Sequence, residues 1–158
     1  QYFGETDEKI NQKVVKILSE GLTPIICIGE TLEERNGGNL EKVLSTQVKG
    51  AFANLSADDA KKCIIAYEPV WAIGTGVTAT NEQAQDTQAF VRSVVKSLYG
   101  EKIAEGITIQ YGGSMNANNA AGLLAQKDID GGLIGGAALK PDTFVAIVAA
   151  AVEAVRKG

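Results

Sequence analysis

The chain has 158 residues, 45% apolar and 22% charged, with 15 Lys and Arg against 19 Asp and Glu for a net charge of -4. This is the ordinary composition of a globular domain. It contains no block of Lys and Arg, which argues against nucleic-acid backbones or anionic membranes as nonspecific partners, and no apolar run approaches the length of a membrane span. The N-terminal residues Gln1-Tyr2-Phe3-Gly4-Glu5 lack the basic start and apolar core of a signal peptide, so a cytoplasmic location is expected. Cys27 and Cys63 fall in separate apolar runs and read as reduced, buried thiols, with no disulfide framework and no metal site.

In chain order, Ile10, Val14, Ile17 and Leu18 form an apolar helical stripe that Gly21 ends, and a first strand is expected over 22–28. Leu40, Val43, Leu44, Val48 and Phe52 make a second helix starting at Asn39, and a strand over 63–67 follows. Thr80 and Gln83 form a capping-box pair; behind them Phe90, Val91, Val94, Val95 and Leu98 supply a buried face until Gly100. A strand is expected over 107–111, an Ala-rich helix after Asn116, and a fourth strand over 132–135. The last helix begins at Pro141 and carries Phe144, Ile147, Val148, Ala151, Val152 and Val155 as its apolar face. One helix followed by four βα units predicts an α/β fold with a parallel sheet.

No linker, low-complexity stretch or repeat divides the series, which predicts a single domain over 1–158. Four strands do not close a barrel, and a (β/α)8 barrel takes about 250 residues. The chain also starts with Gln inside what reads as a loop. It is therefore expected to be part of a longer polypeptide, its domain incomplete without further N-terminal strands.

The chemistry concentrates at the strand ends. Glu68 stands where Pro69 stops the second strand, the edge at which α/β sheets place their reactive groups, although a lone carboxylate there is more often a solvated or ion-paired side chain. The following loop, Pro69-Val70-Trp71-Ala72-Ile73-Gly74-Thr75-Gly76-Val77-Thr78, has rigid ends and a glycine-rich middle, which suits either a lid that swings as a unit or an ordinary βα connection. Tyr111-Gly112-Gly113-Ser114 follows the third strand and Gly135-Gly136 the fourth. Such glycines either turn the chain or let backbone N–H groups approach an anion. Two pairs at successive strand ends, each close to a helix start, favour the anion. Ser114 offers a hydroxyl donor or a helix cap, and Gly74 a further N–H from the loop.

The segment from Ala66 to Gly76, AYEPVWAIGTG, closely resembles the catalytic-base strand and lid of triosephosphate isomerases. The similarity continues through Tyr2-Phe3-Gly4-Glu5, Ile26-Cys27-Ile28-Gly29-Glu30-Thr31, Tyr111-Gly112-Gly113-Ser114 and Gly135-Gly136-Ala137-Ala138-Leu139-Lys140, all in family order. The whole chain looks like the C-terminal three-fifths of that family, hence the C-terminal part of a TIM (β/α)8 barrel. The resemblance implies that Glu68 is a general base interconverting dihydroxyacetone phosphate and glyceraldehyde 3-phosphate through an enediol or enediolate, without a cofactor or metal.

By the same likeness Gly74, Ser114, Gly135 and Gly136 hold the phosphate, and Tyr111 and Ser114 hold the closed lid. Glu30 and Cys27 orient the site from beneath, and the full-length protein is a homodimer. The family's neutral-histidine electrophile and active-site lysine belong to strands not found here, and the chain has no histidine at all, so residues 1–158 alone are expected to be inactive or nearly so. Val77 and Ala138 depart from common family residues, lysine or leucine at the first and serine at the second. Two other readings are a noncatalytic half-barrel that binds phosphate or self-assembles through its strand edges, and a different phosphate-binding barrel enzyme. The absence of a strand-end lysine speaks against a Schiff-base enzyme.

Overall fold

A computed structural model of the chain describes residues 4–75 and 77–157. Tyr2 and Phe3 of the first motif and Gly76 of the predicted lid lie outside the described residues.

Runs of β-branched and aromatic residues form strands β1 (Ile25–Ile28), β2 (Ile64–Tyr67) and β3 (Thr108–Tyr111), joined by a two-residue β4 (Gly131–Gly132). All pair in parallel in the order β1-β2-β3-β4. The register sets Ile26 beside Ile65 and Ile109, and Ile28 beside Tyr67 and Tyr111. Because side chains alternate along a strand, these six share one face, and all six are buried in a single core with Val14, Leu44, Val48, Val91 and Val95 from the helices. Burying that face is the main force holding the helices on the sheet. The opposite face carries Ile25, Cys27, Ala66 and Gln110.

The helices are α1 (Asp7–Ser19), α2 (Leu32–Asn36), α3 (Leu40–Ala51), α4 (Ala57–Ala60), α5 (Asn81–Tyr99), α6 (Glu101–Gly106), α7 (Ala120–Leu124) and α8 (Pro141–Lys157). Strands and helices alternate in sequential spatial order around a parallel sheet, as in consecutive units of a (β/α)8 barrel, so the expected fold class holds. The Thr80 and Gln83 capping box is present at the start of α5, with the Gln83 N–H donating to Thr80 Oγ1 at 3.1 Å and the Thr80 N–H to Gln83 Oε1 at 3.0 Å. No described helix is long and apolar enough to cross a membrane.

Several expectations change. The first strand begins at Ile25, not Leu22, because Pro24 has no N–H to give a sheet and offers only its carbonyl, which accepts from Ile64 at 2.9 Å. The fourth strand sits earlier than 132–135. Asp130 begins the pairing: its N–H donates to Ile109 O at 3.0 Å, and its carboxylate accepts the Ile109 N–H at 2.7 Å and Arg92 Nη2 at 2.8 Å. Helices α2, α4 and α6 occupy stretches read as connections. Each is short, α2 and α4 being started by local caps from Thr31 and Ser56.

The apolar face assigned to the last helix is only partly covered. Ile147 is buried, whereas Phe144, Val148 and Val152 are 40%, 45% and 46% exposed, because α7 and the turn Gly136–Leu139 are the main described elements packed on α8. Cys27 is also exposed and not buried as expected, since it projects from the less covered face of β1. Cys63 is buried.

Candidate active site

The parallel pairing of β2 continues one residue past the strand and thereby mounts Glu68. Its N–H donates to Ile28 O at 2.7 Å, while on the other side the Gly112 N–H donates to Tyr67 O at 2.7 Å. Tyr67 belongs to the buried face, so Glu68, next along the chain, turns to the open one with Cys27. A Cβ on Gly112 would lie 2.4 Å from Glu68 Cγ, so the side chain of the carboxylate rests directly against backbone at the end of β3. This is a physical requirement for glycine that the phosphate reading of the pair did not include. Although Cys27 is exposed as a residue, burial around its sulfur and the Glu68 carboxylate beside it push its thiol up to about 12. It is therefore protonated at neutral pH and a poor nucleophile.

Glu68, Gly74, Ser114, Gly135 and Gly136 all line one cavity of about 710 Å³. Among the described residues Glu68 is the only charged one lining it, so a bound anion would depend on N–H groups and hydroxyls there. Gly135 stands before the 3-10 turn Gly136–Leu139, and Gly74 has φ 66°, in the left-handed region. The lining also includes Gly112 and Gly113, the first of the two glycine pairs, together with Asn116, Leu133 and Ile134, which the sequence reading had not singled out. Glu68 lines a second cavity of about 510 Å³ as well, beside β1.

Ser114 does not cap a helix. Its Oγ donates to Ala72 O at 2.8 Å and its N–H to the same oxygen at 3.2 Å, which joins the end of β3 to the predicted lid. Tyr111 joins the other end: its Oη accepts the Ala79 N–H at 3.1 Å and lies 3.3 Å from Thr78 Oγ1. Between these anchors Pro69 is buried, Val70, Trp71 and Ala72 form a 3-10 turn, and Ile73, Gly74, Thr75, Val77 and Thr78 are exposed. Ile73 reaches both cavities.

The root of the loop is held from β1. The Val70 N–H donates to Glu30 O at 3.0 Å, and the fully buried Glu30 Oε1 accepts from Trp71 Nε1 at 3.0 Å, Arg35 Nη1 at 3.1 Å and Tyr67 Oη at 3.2 Å. Arg35 also lies over the Trp71 ring, 5.5 Å from its centroid. Burial, followed by the Glu30 charge, pushes the Tyr67 hydroxyl well above its usual range, which keeps it a donor.

The model of the triosephosphate isomerase family matches residues 1–151. The chain is 55% identical over 150 residues to a triosephosphate isomerase of Fusobacterium nucleatum, covering 95% of this chain and 60% of that protein. Against the protein of the same name from Chloroherpeton thalassium the figures are 54% over 151 residues, 96% and 60%. Against that of Acetivibrio thermocellus they are 56% over 144 residues, 91% and 57%. The chain thus spans about three-fifths of the length of these curated relatives.

Proposed function

The chain belongs to the triosephosphate isomerase family, and from that premise we propose that it carries the base, the lid and the phosphate cradle of an enzyme interconverting dihydroxyacetone phosphate and glyceraldehyde 3-phosphate. The observation that carries this reading is that Glu68 and the small residues at the ends of β3 and β4 line one cavity, with the lid residues Ile73 and Gly74 on its wall.

In this reading the Glu68 carboxylate removes a proton from the hydroxymethyl carbon of the ketose. The electron pair of that C–H bond becomes the C–C double bond of an enediolate, whose charge falls on the former carbonyl oxygen. Return of the proton to the adjacent carbon, with one proton moving between the two oxygens, gives the aldose. Backbone N–H groups of Gly74, Gly135 and Gly136 and the Ser114 backbone or hydroxyl hold the phosphate. Tyr111 and Ser114 hold the lid, whose closure removes water from the carboxylate and protects the enediolate. No redox step enters, so the reading calls for no cofactor.

Residues 1–158 alone are then inactive or nearly so. The chain has no histidine, and among the described residues no lysine or arginine lines the cavity to meet the developing oxyanion. The family resemblance supports a cytoplasmic homodimer for the full-length protein. The test is Glu68→Asp in the full-length protein, which withdraws the carboxylate by one methylene. Turnover should fall by about 100-fold or more while KM changes little, and an unchanged turnover would remove Glu68 from the role of base.

A further inference from the structure

Three consecutive residues at the end of β1, Ile28, Gly29 and Glu30, run alongside Glu68. The carbonyls of the first and third accept the N–H groups of Glu68 and Val70 at 2.7 and 3.0 Å. Between these bonds, a Cβ on Gly29 would fall 1.8 Å from the Glu68 carbonyl oxygen and 2.7 Å from its carbon. The backbone of β1 therefore touches the backbone of Glu68 with no side chain between them. A displacement of Gly29 is passed directly to the residue that carries the carboxylate.

Gly29 is itself held by a single side chain. Gln47, half-buried on α3, accepts the Gly29 N–H through Oε1 at 2.9 Å and donates from Nε2 to the Gly29 carbonyl at 3.0 Å. One carboxamide thus satisfies both backbone groups of one residue and fixes it in two directions. Gln47 and Glu68 line the same 510 Å³ cavity, on the opposite side of Glu68 from Ser114, Gly135 and Gly136.

We propose that Gln47 is a positioning residue for the proton transfer: its paired bonds to Gly29 set the rail against which Glu68 is mounted. The inference rests on Glu68 being the base. Gln47 touches none of the groups assigned to the phosphate, so its loss acts on turnover and leaves substrate affinity almost unchanged.

The test is a double-mutant cycle in the full-length isomerase, with Gln47→Met, Glu68→Asp and the pair, following kcat, KM and thermal midpoint. Gln47→Met keeps the length of the side chain and removes both bonds. Its kcat should drop about 10- to 100-fold, as for a small misplacement of a reacting group, with KM within about threefold of the parent. The double variant should lose less than the product of the single losses, since a carboxylate already withdrawn no longer depends on the rail. A kcat for Gln47→Met within twofold of the parent, or losses that multiply independently, overturns the positioning role. Should Gln47→Met fail to fold, Gln47→Glu keeps the acceptor for Gly29 N–H and replaces the donor by a carboxylate oxygen that faces the Gly29 carbonyl. It should show a kcat loss in the same direction, and full activity overturns the proposal. An unchanged Glu68→Asp removes the premise itself, a result distinct from any outcome at Gln47.

Discussion

The Tyr111 hydroxyl at the end of β3 accepts the N–H of Ala79 at 3.1 Å, and Ala79 is buried. The far end of the proposed lid is therefore tied to the strand that Ser114 follows. Removing the hydroxyl with Tyr111→Phe leaves a buried N–H without its partner, a cost of about 1–3 kcal/mol. We expect the full-length variant to show a lowered thermal midpoint together with reduced kcat, measured by calorimetry and steady-state kinetics. Parent-like values of both would mean that this bond does not hold the lid.

Gly112→Ala places a methyl group 2.4 Å from Glu68 Cγ, too close for both to keep their positions. The glutamate side chain is the movable partner and must rotate away. If Glu68 is the base, as proposed, turnover of the full-length protein should fall about 10- to 100-fold through its misplacement. The measurement is kcat alongside far-UV circular dichroism, with the secondary structure expected to be unchanged.

Arg92 joins α5 to the β3–β4 edge through Asp128 at 2.7 Å and Asp130 at 2.8 Å, and it also donates to the carbonyls of Ala104 and Ile107 at 2.7 and 3.2 Å. Asp128→Ala leaves a buried guanidinium short of one carboxylate and also removes the partner of Gln85. Loss of a buried partner of this kind costs about 3–5 kcal/mol. Denaturant unfolding of the full-length variant should show that loss, whereas a change below about 1 kcal/mol would place the pair with weak surface bridges.

Alkaline pH should destabilise the protein from about pH 9. Burial is the first cause raising the Cys63 thiol from 9.0 to about 11, and Cys27 is shifted in the same direction. Both folded-state values lie above the unfolded one, so the stabilisation is fully present below pH 9. Above it, unfolded thiols ionise while native ones keep their protons, and stability falls as pH rises. Unfolding free energies at pH 8, 9 and 10 should decrease in that order, and Cys63→Ala should flatten the slope.

Legibility from sequence followed the physics of each segment. Apolar runs such as Ile64-Ile65-Ala66-Tyr67 announce a buried strand, and Thr80 with Gln83 before a long amphipathic stretch announces α5. The same capping signal stands at Thr31 and Glu34, where it starts α2, but with no apolar stripe behind it the short helix passed as loop. The fourth strand is built of glycines and takes its register from Asp130 and Arg92, residues far apart in sequence that only the fold brings together. The stripe on α8 was readable as a stripe, but what covers it is a tertiary fact.

At the site, Glu68 and the glycine pairs were singled out by the motif order around them, because a carboxylate or a glycine pair at one strand end is more often a solvated side chain or a plain turn. Gln47 was not, because a glutamine on an amphipathic helix looks like any solvated position until its two bonds to Gly29 are seen.

The central claim, that Glu68 moves the proton between substrate carbons, is tested most directly by exchange. The full-length protein and its Glu68→Gln variant would be incubated with dihydroxyacetone phosphate in deuterium oxide, and deuterium entering the substrate carbons followed by NMR. The account predicts rapid incorporation by the parent and a rate for Glu68→Gln lowered by at least about 1000-fold, with inorganic phosphate still protecting the variant against thermal unfolding. Exchange by Glu68→Gln within about tenfold of the parent would contradict it, and the proton would have to be carried by another group.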